Sequence, residues 1–245
     1  NTLYLALLRH KDFSSVDFSS MKFCGAGGMA MSASVSEEWL KVTGSKIYEG
    51  YGLTECSPVI AVNTPGMFLA GTVGVVVPET ETKVVDDDGC ELAQGERGEL
   101  WVRGPQVMLG YWQHEQETSD TITEEGWLKT GDYVEIDKDG YISVVDRKKG
   151  MILVSGFNVF PSEIEDWVNR HPQVLESAAI GIPCEKTGEA IKLFVVAKGN
   201  ELDIDSVKAH CKEGLAAYKV PQEYVLIDDI PKSNIGKILH RELHT

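Results

Sequence analysis

Along this chain the spacing of apolar and polar positions changes twice, and each change marks a different kind of segment. Leu3, Leu5, Leu7 and Leu8 open an apolar stretch, and residues 21–24 read as a short strand running into Gly25-Ala26-Gly27-Gly28. The next pattern predicts a short helix capped by Ser34 or Ser36, with Glu37 and Glu38 in its first turn and Gly44 at its end. Ile47-Tyr48 begins another strand that stops at Gly50-Tyr51-Gly52. From about 70 to 147 short strands dominate: around Val73, Val75 and Val77, then 82–85, 99–102 and 141–145. Asp87-Asp88-Gly89, Gln94-Gly95 and Lys138-Asp139-Gly140 are the turns between them. After 150 the pattern alternates helix and strand. Ser162-Glu163-Ile164-Glu165 has the form of a capping box, with Ile164, Trp167 and Val168 on one stripe. Strands at 177–182 and 190–197, a helix at 204–215 and a strand at 224–227 complete it. The fold class expected is mixed α/β, in three parts: 1–70, a β-rich 71–148, and a small α/β unit over 149–245.

Composition narrows the function. The 245 residues carry 38 acidic and 23 basic groups, a net charge of −15, which argues against a nucleic-acid partner. Apolar content of 42% and charged content of 25% suit a packed globular protein. The five cysteines are never closer than 27 positions, so neither a zinc knuckle nor a redox pair is present, and free thiols in a reducing compartment are expected. The uncharged stretch 59–78 reaches the roughly 20 residues of a membrane span, yet Pro65-Gly66, Gly71 and Gly74 interrupt it as turns do. The start lacks both an initiator Met and a basic-then-apolar signal, so a fragment or processed product in the cytoplasm is expected. Residues 1–149 hold 24 acidic and 13 basic groups, yet end in the basic run Arg147-Lys148-Lys149, which suits an anion site or a solvated linker.

Several short constellations could carry chemistry. In Tyr51-Gly52-Leu53-Thr54-Glu55, a glycine turn would bring backbone N–H groups to a phosphate. The Thr hydroxyl would donate, the carboxylate would recruit Mg²⁺, and Tyr51 would stack on a base. A plain surface turn explains the same five residues. Thr130-Gly131-Asp132 reads as a loop whose Asp could accept two vicinal hydroxyls, or simply form a turn. Ser233-Asn234-Ile235-Gly236-Lys237 places a lysine beyond a glycine turn; Pro231 and Ile238 exclude a Walker-type phosphate loop. Gly25-Ala26-Gly27-Gly28-Met29-Ala30 fits a dinucleotide fingerprint formally, with Glu49 downstream, but the helix signal starts too late. No GxSxG, HExxH or clustered histidine pattern occurs.

In order, the signals are more specific than any one of them. Glu49-Gly50-Tyr51-Gly52-Leu53-Thr54-Glu55 comes first, then Gly98-Glu99-Leu100-Trp101-Val102-Arg103-Gly104-Pro105, then Gly126-Trp127-Leu128-Lys129-Thr130-Gly131-Asp132. Asp146-Arg147-Lys148-Lys149 follows, with Ser155-Gly156-Phe157-Asn158-Val159-Phe160-Pro161 directly after, and Pro231-Lys232-Ser233-Asn234-Ile235-Gly236-Lys237 ends the series. Over essentially its whole length the chain resembles the adenylate-forming enzymes, and among them bacterial long-chain fatty-acid–CoA ligases.

The resemblance implies a partial adenylating fold. Residues 1–70 would be a remnant of the large α/β domain, 71–148 a small β-barrel-like subdomain, and 149–245 a mobile domain with the catalytic lysine. The implied small-molecule substrates are a long-chain fatty acid, ATP (leaving AMP) and coenzyme A, with Mg²⁺ as metal. Glu55 would hold Mg²⁺ and Thr54 would contact a phosphate. Gly27, Gly28, Glu49, Gly50, Tyr51 and Gly52 would shape the nucleotide site, with the loop at 25–31 and Tyr51 sandwiching the adenine. Asp132 and Arg147 would hold the ribose, Lys237 the α-phosphate and carboxylate. Lys149 would be the hinge about which Gly156 moves to line the coenzyme A tunnel. Such enzymes are often dimeric, and so insoluble a substrate suggests peripheral attachment at the inner face of the plasma membrane. This chain departs from the pattern at Gly150, where an acidic residue is frequent, and at His240, where a basic one is. The Ser/Thr/Gly-rich phosphate loop of the family is absent, so the expectation is the C-terminal part of a longer ligase. An aryl-CoA ligase, a peptide-synthetase adenylation domain and a non-catalytic AMP-binding module are the alternatives.

Overall fold

The computed structural model describes residues 2–199, 202–233 and 236–244; Asn234 and Ile235 of the terminal lysine motif lie outside them. The chain divides into two compact units, residues 1–144 and 145–245.

The first unit opens with α1 (Thr2–Arg9), β1 (Cys24–Gly27), α2 (Ala33–Thr43) and β2 (Ile47–Tyr51). Short strands β3 (Ala61–Val62) and β4 (Val75–Val76) complete a sheet in the order β1-β2-β3-β4. The first strand lies over the glycines rather than over 21–24. Its helix also starts earlier than Ser34: Ser32 stands at the N-cap position, because Val35 and Trp39, four residues apart, form the buried face. Gly44 closes it at φ 72°, as expected. Phe13, Cys24, Trp39 and Ile47 form the core beneath.

A second sheet follows, from β5 (Glu81–Val85), β6 (Arg97–Arg103), β7 (Leu128–Ile136) and β8 (Ile142–Arg147), with α3 (Glu115–Thr121) inserted before β7. Among the described residues its order is an open β5-β6-β7-β8, so the barrel-like expectation is corrected to an open four-stranded sheet. Thr130-Gly131-Asp132 is not a loop either. It lies inside β7, as a bulge: Glu99 pairs with Tyr133 and Trp101 with Lys129, which leaves three residues opposite Leu100. Gly131 supplies the turn, at φ 70°. Fully buried Leu100, Val102, Leu128, Val134 and Ile142 join Ile60 and Ala61 in one core.

In the second unit, β9 (Ile152–Val154) and β10 (Phe157–Val159) form a hairpin ahead of α4 (Pro161–Val168). The long antiparallel pair β11 (Val174–Cys184) and β12 (Gly188–Ala197) makes the centre, followed by α5 (Ile204–Gly214) and β13 (Glu223–Leu226). β12 pairs β9 at Gly188 and β13, in parallel, over Lys192–Val195. Alternation divides the two faces. Ala179, Leu193 and Val195 pack with Ile164, Val168, Val207 and Cys211, while Ala178, Phe194 and Val196 pack with Ile230 and Leu243. Each fully buried aliphatic side chain here contributes about 1.5–3 kcal/mol. Ser162 does not cap α4 as its capping-box pattern suggests, since Phe160 is at the N-cap. Its N–H donates instead to Asp146 and its hydroxyl to the Val145 carbonyl. No helix among the described residues is long and apolar enough to cross a membrane.

Candidate functional site

The sequence-derived candidates fall into one set on each unit. In the first unit, β1 and β2 run parallel with Gly27 opposite Gly50 and Ala26 opposite Glu49. A Cβ on Gly27 would stand 3.2 Å from the Gly50 carbonyl oxygen, so the glycines let the strand ends close up. Gly28 turns at φ 81° with open space where a side chain would be. Glu49 accepts the Met31 N–H at 3.1 Å, which fastens the 25–31 segment to β2. Burial pushes its carboxyl above the usual range, against the lowering effect of that N–H.

Gly52 follows β2 where no side chain fits: its Cβ would lie 1.7 Å from the Pro58 carbonyl oxygen. The next residues, Thr54–Cys56, coil into a single 3-10 turn that leaves Thr54 exposed and Glu55 half-buried. Glu55 is held twice. Its carbonyl accepts the Met108 N–H at 2.8 Å, and its Oε1 accepts the Tyr111 hydroxyl at 2.8 Å. Burial, and then Glu55, pushes the Tyr111 phenol upward, so it stays a donor.

The bulge in β7 brings Asp132 to Tyr51. Thr130 Oγ1 donates to the Leu100 carbonyl at 2.7 Å and accepts the Asp132 N–H at 3.1 Å; Glu99 Oε1 accepts the Gly131 N–H at 3.1 Å. Asp132, only 2% exposed, then accepts the Tyr51 hydroxyl on Oδ2 at 2.6 Å. Gly27, Glu49, Gly50 and Tyr51 are therefore joined through β2, with Asp132 tied to the same end.

In the second unit, Arg147 ends β8 and Lys149 sits in the 3-10 turn Lys148–Gly150 directly after it; both are exposed. Gly156 is at the tip of the β9–β10 hairpin, at φ 83° after Ser155 at φ 51°. Lys237 is exposed on a different hairpin, closed by the bridge between Lys232 and Ile238. Ser233 fixes that lysine's backbone: its N–H donates to the Lys237 carbonyl at 2.8 Å and its Oγ accepts the Lys237 N–H at 3.1 Å. Sequence reading missed the supporting residues. Ser233, four positions from Lys237, carries a local signal in its turn-forming hydroxyl; Tyr111, 56 positions from Glu55, carries none.

Residues 1–112 match the AMP-binding enzyme family, and residues 163–237 match the AMP-binding enzyme C-terminal domain. The chain belongs to the AMP-binding enzymes. It is 52% identical over 99% of its length to a long-chain-fatty-acid–CoA ligase of Salmonella typhimurium and 40% identical to one of Bacillus subtilis. It spans 43% and 44% of those relatives. Among solved structures it resembles ATP-bound MatB from Rhodopseudomonas palustris, with TM-score 0.90, 32% identity, and coverage of 99% of this chain and 48% of that one. The anthranilate CoA ligase AuaEII in complex with anthranoyl-AMP gives TM-score 0.82 at 34% identity, covering 98% and 47%.

The residues present suit the groups an AMP-binding enzyme handles. Gly28 leaves open space where a side chain would stand, and the Asp132 carboxylate is fixed by the Tyr51 hydroxyl. No group of three His, Cys, Asp or Glu able to hold a metal occurs among the described residues. Glu55 as a single carboxylate fits Mg²⁺, which commonly takes one or two carboxylates and completes its shell with phosphate oxygens and water.

Proposed function

We propose that this AMP-binding enzyme chain carries the ribose and adenine contacts and the mobile lysine of an ATP-dependent long-chain fatty-acid–CoA ligase. The observation that carries the reading is the Tyr51–Asp132 bond, which fixes a base platform and a hydroxyl acceptor at one strand end. The 52% identity to long-chain-fatty-acid–CoA ligases supports the choice of acid.

In the first half-reaction a fatty-acid carboxylate oxygen attacks the α-phosphorus of ATP. The bond to the bridging oxygen breaks, and pyrophosphate leaves with its electron pair. Negative charge accumulates on the phosphoryl oxygens, so fixed cations and donors dominate the barrier. Asp132 accepts the ribose hydroxyls with help from Arg147, Tyr51 and the 25–31 segment flank the adenine, and Thr54 donates to a phosphate. Lys237 meets the α-phosphate and the attacking carboxylate. Mg²⁺ at Glu55 supplies neutralising charge when bound. In the second half-reaction the coenzyme A thiolate sulfur attacks the acyl carbonyl carbon and AMP departs. Lys149 serves as the hinge that withdraws Lys237 and brings Gly156 to the thiol's approach path.

The test is ATP–pyrophosphate exchange by the whole protein. Exchange driven by palmitate and not by aryl or amino acids is the expected result. Lys237→Ala should slow adenylation by about 10²–10³-fold, the cost of losing a comparable oxyanion donor. Full-rate exchange by that variant, or exchange driven only by an aryl acid, overturns the reading.

A further inference from the structure

The segment that carries Lys237 is fastened to its unit at two places. At the base of the hairpin, Lys232 Nζ donates to Glu176 Oε1 of β11 at 2.5 Å. Beyond the lysine, the chain coils into the 3-10 turn His240–His244, where Leu243 is buried with Ile230 and Phe194. There His240 Nε2 lies 2.8 Å from Glu165 Oε1 of α4.

We propose that His240, as an imidazolium paired with Glu165, is a positioning residue that seats the Lys237 hairpin for adenylation and releases it on deprotonation. This rests on the role given to Lys237 above. Glu165 cannot follow a departing partner, because the same oxygen accepts the Ala179 N–H of β11 at 2.9 Å and its side chain is only 14% exposed. Asp146 on β8 also faces the imidazole, and is itself fixed by the N–H groups of Arg147 at 2.6 Å and Ser162 at 3.0 Å. On β11 the nearest carboxylate, Glu176, is taken by Lys232. Lys237 is the opposing charge.

The balance favours the charged ring. The Glu165 hydrogen bond is the largest influence and raises the His240 pKa, burial lowers it, and the charges of Glu165 and Asp146 raise it further. A raised pKa means the pair is complete below the ordinary histidine value of about 6.5 and is lost as pH climbs through the raised one. The adenylation step, which uses Lys237, therefore weakens on the alkaline side. Acyl transfer to coenzyme A, which proceeds with that lysine withdrawn, does not.

The experiment compares the two half-reactions of the whole protein between about pH 6 and pH 9, the span in which a shifted histidine titrates. Palmitate-driven exchange by the wild type should fall about ten- to hundredfold across the alkaline limb, the scale expected for one charge-assisted hydrogen bond. His240→Arg, which keeps the cation at every pH, should flatten that limb. His240→Gln should stay low throughout, and transfer from preformed acyl adenylate should be alike in all three. An unchanged alkaline fall in His240→Arg overturns the proposal. Selective histidine labelling gives a readout independent of turnover: Glu165→Gln should bring the His240 ring titration down, and an unmoved titration also overturns it. Lys237→Ala separates the two claims. If that variant exchanges at full rate, the lysine assignment fails while the ring titration still reports whether the ion pair exists.

Discussion

The phenolic hydroxyl of Tyr51 donates to Oδ2 of Asp132 at 2.6 Å, across 81 positions of sequence. One residue ends a strand of the first sheet and the other lies on the bulge of β7 in the second. In the proposed nucleotide site the bond would tie a stacking surface to a hydroxyl acceptor before any nucleotide arrives, lowering the ordering cost of binding. It also gives the buried carboxylate a charge-assisted partner.

Tyr51→Phe keeps the ring and removes only that donor. Losing one donor to the buried Asp132 carboxylate should lower the chain's stability by about 1–2 kcal/mol in urea. In the whole protein the KM for ATP should rise about fivefold, with a smaller change in kcat, since the contact orients a binding group. An unaltered urea midpoint together with an unaltered KM would remove the pair from the site.

Tyr111→Phe tests how Glu55 is aimed. The hydroxyl holds Oε1 at 2.8 Å while the backbone of the same residue is pinned by Met108, so the variant frees the carboxylate without moving the turn. The half-saturating Mg²⁺ concentration for exchange should rise about three- to tenfold, the scale of one hydrogen bond at a partly exposed position. Equal Mg²⁺ dependence in the two proteins would mean that Tyr111 does not orient the metal ligand.

How much of this was legible beforehand depended on the range of the interaction. The strands at 82–85 and 190–197 were readable because alternation is local, and Gly44 was readable as a helix stop for the same reason. The bulge at Thr130-Gly131-Asp132 reads as a loop in sequence: a glycine between two polar residues looks like a turn until the cross-strand partner Leu100 is known. Ser162 reads as a cap in sequence because the competing acceptors, Asp146 and the Val145 carbonyl, come from another element. The order of motifs identified the candidate site residues, whereas their supports, Tyr111 and the His240–Glu165 pair, sit 56 and 75 positions from their partners. No local pattern carries that information.

The five thiols should react in a set order. Cys184, partly exposed, ends β11 beside the turn to β12, where the Thr187 hydroxyl and then the N–H groups of Lys186 and Thr187 lower its pKa. Cys56 is fully buried, and burial with the nearby Glu55 charge pushes it up to about 11. At pH 8 its thiolate is therefore only about one part in a thousand, apart from any barrier of access. Substoichiometric alkylation read by peptide mass spectrometry should mark Cys184 first, ahead of exposed Cys90, and Cys56 among the last. Early labelling of Cys56 in native protein would contradict the packing beneath the Thr54–Cys56 turn.

Gly52 provides the sharpest steric test. A Cβ there would lie 1.7 Å from the Pro58 carbonyl oxygen, 2.7 Å from its carbonyl carbon and 2.9 Å from the Val59 Cα. Every obstacle is backbone, so no side chain can swing aside, and the segment from Tyr51 to Val59 must shift as a whole. Gly131→Ala is the natural comparison. That position needs φ 70°, but a Cβ there meets nothing within 4 Å. Its cost should be the left-handed backbone penalty alone, about 1–2 kcal/mol. Gly52→Ala should cost about 3 kcal/mol or more, as overpacking against fixed backbone does, and should also disturb Glu55. Urea unfolding of both variants decides it: the loss at Gly52 must exceed the loss at Gly131. The reverse order would mean that the chain at Pro58 yields easily, and that Gly52 is present for a reason other than close approach.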